Sequence, residues 1–160
     1  MSELRGRGAA RAVADLYAGS ILASVEIAAP PERVFQALAS REIIDWWGKP
    51  GIFDAREWSG DVRVGGSWRA AGTGRQGVPW ALEGCFLEID PPRRLSHTWN
   101  APGSSQQPSI VTYLLEPIEG GTRLTLRHTG VADPTACMGA CLGWEACLTR
   151  LAARLGLLNP

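Results

Sequence analysis

The chain has 160 residues, of which 45% are hydrophobic and 20% charged, and its formal net charge is zero. That fits one globular domain able to bury roughly 70% of its unfolded surface. Zero net charge supplies no field toward nucleic acid or an anionic membrane, and Arg5, Arg7 and Arg11 form too sparse a basic tail to change this. Lys49 is the only lysine among the 16 basic residues, a bias that points to a GC-rich, bacterial genome. Arg11 and Asp15 break the N-terminal apolar stretch, so no secretory leader is legible. No run approaches the ~20 apolar residues of a membrane span.

A cytoplasmic location is therefore expected, with Cys85, Cys137, Cys141 and Cys147 as free thiols. Cys137 and Cys141, at i and i+4, could form half of a metal site. No second Cys or His pair completes it, and neither a metal nor another cofactor is expected. Seven tryptophans are many for this length. Tryptophan suits either the wall of an amphipathic cavity or a Trp-rich core.

Residues 1–19 read as an N-terminal extension with a short helix over about 9–17, and residues 20–160 as a single domain. Residues 21–28 alternate with β-branched residues and predict a first strand, stopped by Pro30-Pro31. Pro31-Glu32-Arg33 opens a helix whose apolar face is Val34, Phe35 and Leu38. A second short helix is expected over 41–47, broken by Gly48-Lys49-Pro50-Gly51. Strands are expected over 53–58, 67–71, 80–89 and 94–99, then a hairpin of 110–116 and 122–129 across Glu119-Gly120-Gly121.

The chain ends in its longest element. Asp133 at the N-cap and Pro134 at the first helical position start it. Cys137, Cys141, Trp144, Leu148, Leu151 and Leu155 then recur at spacings of four and three, which is one apolar stripe of an α-helix. Gly139 and Gly143 weaken its first half and mark where it could bend or be closely approached.

Strands joined by short turns make an antiparallel sheet, and about seven of them tend to curl. Only the terminal helix is long enough to cover the concave face. The expected fold is α+β: a helix-grip, with a curved antiparallel sheet around a long C-terminal helix and two short helices closing the end.

Strand parity assigns the inner face. In the long strand Ala81, Glu83, Cys85, Leu87 and Ile89 are expected to point inward. Leu95, His97 and Trp99 share a face in the next strand; in the hairpin so do Val111, Tyr113 and Leu115, and Leu124, Leu126 and His128. Glu83, His97, Tyr113 and His128 thus become polar groups on an apolar inner face. They either satisfy one another or line a small-molecule cavity. Gly72-Thr73-Gly74-Arg75-Gln76-Gly77 matches G-x-G-x-x-G, yet a strand and not a helix comes after it, so it reads as a hairpin loop. No nucleophile stands beside a base.

The stretch from Val25 to Leu38 resembles the opening of the SRPBCC (START-like) superfamily. Asp45-Trp46-Trp47, the segment from Asp61 to Trp68 and the segment from Glu88 to Leu95 are similar to its branch related to the activator of heat-shock protein 90 ATPase. So are Trp99, the segment from Gly121 to Leu126, His128-Thr129-Gly130 and Gly143-Trp144. The resemblance implies a helix-grip domain with a cavity between sheet and helix, in a superfamily whose members bind hydrophobic small molecules and include aromatases and cyclases. The chaperone-activating members carry a further N-terminal domain. A short tail stands in its place here, which argues against chaperone contact.

The expected function is non-enzymatic binding of a small hydrophobic or aromatic molecule. The expected wall is Trp47, Phe53, Trp68, Glu83, His97, Trp99, Tyr113, His128 and Trp144. The alternatives are a cyclase, aromatase or hydrolase using Glu83 or His128 in the same cavity, and a chaperone-regulating or stress-response interaction module. Edge strands permit a homodimer without requiring one.

Overall fold

The computed structural model describes residues 8–158. Eight strands form one antiparallel sheet: β1 (Arg11–Asp15), β2 (Ser20–Ile27), β3 (Asp54–Gly60), β4 (Ser67–Thr73), β5 (Pro79–Asp90), β6 (Arg94–Trp99), β7 (Ser109–Ile118) and β8 (Gly121–Thr129). Their spatial order is β1-β2-β8-β7-β6-β5-β4-β3. The helices are α1 (Pro31–Leu38), α2 (Ile43–Trp47) and α3 (Pro134–Leu158). This is the helix-grip architecture. The match to G-x-G-x-x-G falls in the β4–β5 hairpin, where Arg75–Gly77 form a 3-10 turn.

The short helix expected over 9–17 is a strand instead. Ala12 and Ala14 are half-buried while Arg11, Val13 and Asp15 are exposed, which is period two and not 3.6. The turn after it is built by Asp15, whose carboxylate accepts the backbone N–H groups of Tyr17 and Ala18 at 3.1 and 3.0 Å. Residues 11–15 therefore belong to the sheet and raise its strand number to eight; residues 1–7 of the expected extension lie outside the described residues.

The stripe on α3 is buried throughout, from Cys137 to Leu155. Asp133 caps the helix, its carboxylate accepting the Ala136 N–H at 2.9 Å. Three polar residues beside the stripe tie it to its neighbours. Glu145 and Thr149 accept the outward N–H groups of Ala12 and Ala10, both at 3.0 Å, which covers the free edge of β1. Arg150 donates to the carbonyls of Trp46 and Trp47 at 3.1 and 2.7 Å, setting a cation on the C-terminal end of α2. Gly139 and Gly143 are not points of close approach: both are exposed, and a Cβ at either would meet nothing within 4 Å.

Candidate functional site

α3 packs over β1 and β2, while β4, β5 and β6 curl away from it. Aromatic side chains fill the space between. Trp47 comes from α2, Trp68 from β4, His97 and Trp99 from β6, Tyr113 from β7, His128 from β8 and Trp144 from α3. Trp99 is the centre of the cluster. Its ring lies 5.2 Å from Trp47, 5.5 Å from Trp144, 5.7 Å from His128 and 5.8 Å from Trp68, centroid to centroid. All four pairs are tilted, the geometry favoured by opposed ring quadrupoles. Seven of the nine residues expected from the sequence are thus brought together.

Phe53 and Glu83 are not. Phe53 stacks on Trp80 at 4.5 Å, away from the central rings. Glu83, expected inside, faces out because β5 has the opposite parity: Gly84 and Phe86 are buried, whereas Cys85 and Leu87 are exposed. Glu83 pairs across the sheet with Arg69 on the same outer face as Cys85. A bulge between Phe86 and Glu88 then turns the strand over, so that only Ile89 keeps the expected side. Gly84 is the signal in the sequence that marks this, because glycine inside a strand indicates a bulge or a close approach. A Cβ there would lie 2.1 Å from the Thr98 carbonyl oxygen and 2.6 Å from Trp68 Nε1. Trp68 rests on the bare backbone, and its N–H donates to that same carbonyl at 3.2 Å.

The partners of both histidines fix their tautomers. Trp144 Nε1 can only donate, and it lies 3.0 Å from His128 Nδ1. The His128 proton is therefore on Nε2, which donates to Ser109 Oγ at 2.8 Å; Ser109 in turn donates to the Trp99 carbonyl at 3.0 Å. Burial, with a smaller contribution from His97, pushes His128 down to about 4. His97 Nδ1 donates to the Thr98 carbonyl at 2.9 Å, which leaves Nε2 as the acceptor of the ring. Burial lowers His97 to about 4 as well, against the opposing effect of that hydrogen bond. Both rings are neutral at pH 7. Burial also raises the Tyr113 phenol well above its usual range and the Cys147 thiol to about 12.

The interior is nearly full. A cavity of about 10 Å³ remains, bounded by Leu38, Ile43, Trp47, Trp58, Trp68, Phe86 and His97. That is room for about one water-sized group. Trp47 Nε1 is buried without a hydrogen-bond partner among the described residues. Its neighbour in sequence, Trp46, is instead anchored by donation to the Ala37 carbonyl at 2.9 Å. Trp58, which lies outside the wall expected from the sequence, also lines an outer groove of about 420 Å³ on β3, β4 and β5. Among the described residues, no group of Cys, His, Asp and Glu could hold a metal ion, and no helix is long and apolar enough to cross a membrane.

Residues 28–156 match the family model described as activator of Hsp90 ATPase homolog 1-like protein. The chain belongs to this family. Protein CV1439 from Chromobacterium violaceum is similar in structure, with a TM-score of 0.78 and 27% identity over 86% of this chain and 97% of that one. Protein Ms6760 from Mycobacterium smegmatis has a TM-score of 0.78 at 25% identity, over 90% and 94%. CalU16 from Micromonospora echinospora has a TM-score of 0.64 at 28% identity, over 88% and 76%. No curated protein matches the sequence. The branch read from the sequence segments is thereby established, and membership supports a ligand-binding domain at the level of the family.

Proposed function

We propose that the protein binds a small, largely apolar, aromatic molecule between the sheet and α3, without catalysing a reaction. The observation that carries this reading is the continuous cluster of rings gathered from α2, α3 and four strands, with a residual cavity lined by both His97 and Trp47, whose N–H is unpaired among the described residues. An aromatic ligand offers such a cluster both area and ring geometry. Its polar end finds one donor and one acceptor at Trp47 and His97. Since the cavity is so small, the ligand has to exchange with protein side chains. Trp58 is the candidate for that exchange, being half-buried and common to the cavity and the outer groove.

Acid–base catalysis gains no support from this geometry. Both nitrogens of His128 are already hydrogen-bonded, and Glu83 lies on the outer face. The test is a titration with the neutral probe N-phenyl-1-naphthylamine, read by probe enhancement and tryptophan quenching. Saturable binding that weakens at least about fivefold in Trp99→Ala and Trp144→Ala, with far-UV circular dichroism retained, supports the reading. Absence of saturable binding to the folded protein would sink it.

A further inference from the structure

Six of the arginines on this surface are neutralised. Arg33, Arg63, Arg93, Arg94, Arg123 and Arg154 each have a carboxylate within 4 Å. Arg41 and Arg56 have none among the described residues, and both line the outer groove of about 420 Å³. They reach it from different places, Arg41 from the α1–α2 connection and Arg56 from β3; Arg69 of β4 borders the groove, but its side chain leaves from the opposite face of the sheet, across from Glu83. Arg56 sits where the β3–β4 register shifts, between Ala55 and Glu57. Bulges of this kind re-aim side chains beside sites. Glu57 is the one acid in the lining, so the groove is cationic within a chain of zero net charge.

The groove also has an apolar side. Trp58, Ala70 and Leu82 stand opposite one another in register on β3, β4 and β5, and Pro102 adds to them from the β6–β7 loop. We propose that this groove binds a small organic monocarboxylate carried on an aromatic or alicyclic body. A guanidinium recognises a carboxylate by paired, charge-assisted hydrogen bonds. The apolar row receives the body, and the volume suits a small organic molecule. An inorganic anion would leave the row unused, and Glu57 disfavours a second negative charge.

This inference does not depend on binding in the aromatic interior, and its test is separate. The full chain is titrated calorimetrically with 1-naphthoate and with neutral 1-naphthalenemethanol. Naphthoate is expected to bind about tenfold more tightly than the alcohol and to weaken as sodium chloride rises from about 20 to about 200 mM. The double variant Arg41→Gln/Arg56→Gln is expected to lose at least about fivefold for naphthoate with its melting temperature retained. Arg63→Gln, which removes an arginine paired elsewhere, should bind as the parent does. Equal affinity for acid and alcohol, no naphthoate binding, or an unchanged affinity in the double variant would each overturn the proposal. Retention of naphthoate binding in Trp99→Ala separates this groove from the interior.

Discussion

Trp144 Nε1 lies 3.0 Å from Nδ1 of His128, and this contact makes the histidine an acceptor at the point where α3 meets β8. Protonation of Nδ1 would set two donors against each other in the interior. The arrangement therefore holds only while the ring is neutral.

Acid sensitivity then has a definite sign. His97 and His128 sit at about 4 in the folded chain against an ordinary 6.5. Between those values the unfolded chain binds more protons, so stability is fully present above pH ~6.5 and falls as the pH drops through ~4. The complete effect is on the order of 3 kcal/mol per ring, and the two are not independent because they repel when charged. Urea midpoints measured from pH 7.5 to 4.5 should fall, with a shallower slope in His128→Gln than in the parent. Coincident slopes would show that His128 does not titrate in the way its partners require.

Gly139 and Gly143 offer a gain. Each is an exposed position of α3 where a new Cβ meets nothing within 4 Å. Replacement by alanine should add up to about 1 kcal/mol each by helix propensity, raising the melting temperature by roughly 2–4 °C per kcal/mol in a domain of this size. A lowered melting temperature would mean that these positions have a packing role which the open space around them denies.

Gly84→Ala should act in the opposite direction. Its Cβ would fall 2.1 Å from a backbone oxygen, and backbone yields less readily than a side-chain tip. A loss of about 2–3 kcal/mol is expected, together with a changed tryptophan emission as Trp68 is lifted off the strand. Denaturant unfolding, followed by circular dichroism and by tryptophan fluorescence, measures both effects; a neutral substitution would contradict the contact.

The fold is legible in the sequence because its signals are local and redundant. Asp133-Pro134 and the six-residue stripe define α3, and period-two alternation defines β7 and β8. Parity fails in β5, where an inner glycine carries no hydrophobic signal of its own and the bulge inverts the rest of the strand. Residues 9–17 read as helix because alanine, arginine and leucine favour it, while the sheet edge that claims β1 is formed only in the folded chain. Most of the candidate site can be found by counting tryptophans and tracing parity. The anchoring by Arg150 and the isolation of Trp47 Nε1 cannot, because both depend on how α2 meets α3 across about a hundred residues of chain.

The adjacent tryptophans of α2 should respond differently to the same substitution. Trp46 is fully buried and its N–H is bonded to the Ala37 carbonyl, so Trp46→Phe removes volume and also strands a buried acceptor. A cost of about 2–3 kcal/mol is expected. Trp47 is also buried, with Trp99 5.2 Å away, yet its N–H has no partner among the described residues. Trp47→Phe therefore trades lost ring contacts against relief of an unsatisfied donor, and its cost should stay below about 1.5 kcal/mol. If that N–H serves a ligand, the same variant loses affinity for a hydroxyl-bearing aromatic such as 1-naphthol while its affinity for naphthalene changes less. Stability by urea unfolding and affinity by calorimetry are to be measured on both variants. Equal stability costs would dispose of the structural distinction between the two indoles, and equal losses for both probes would remove Trp47 Nε1 from the binding site.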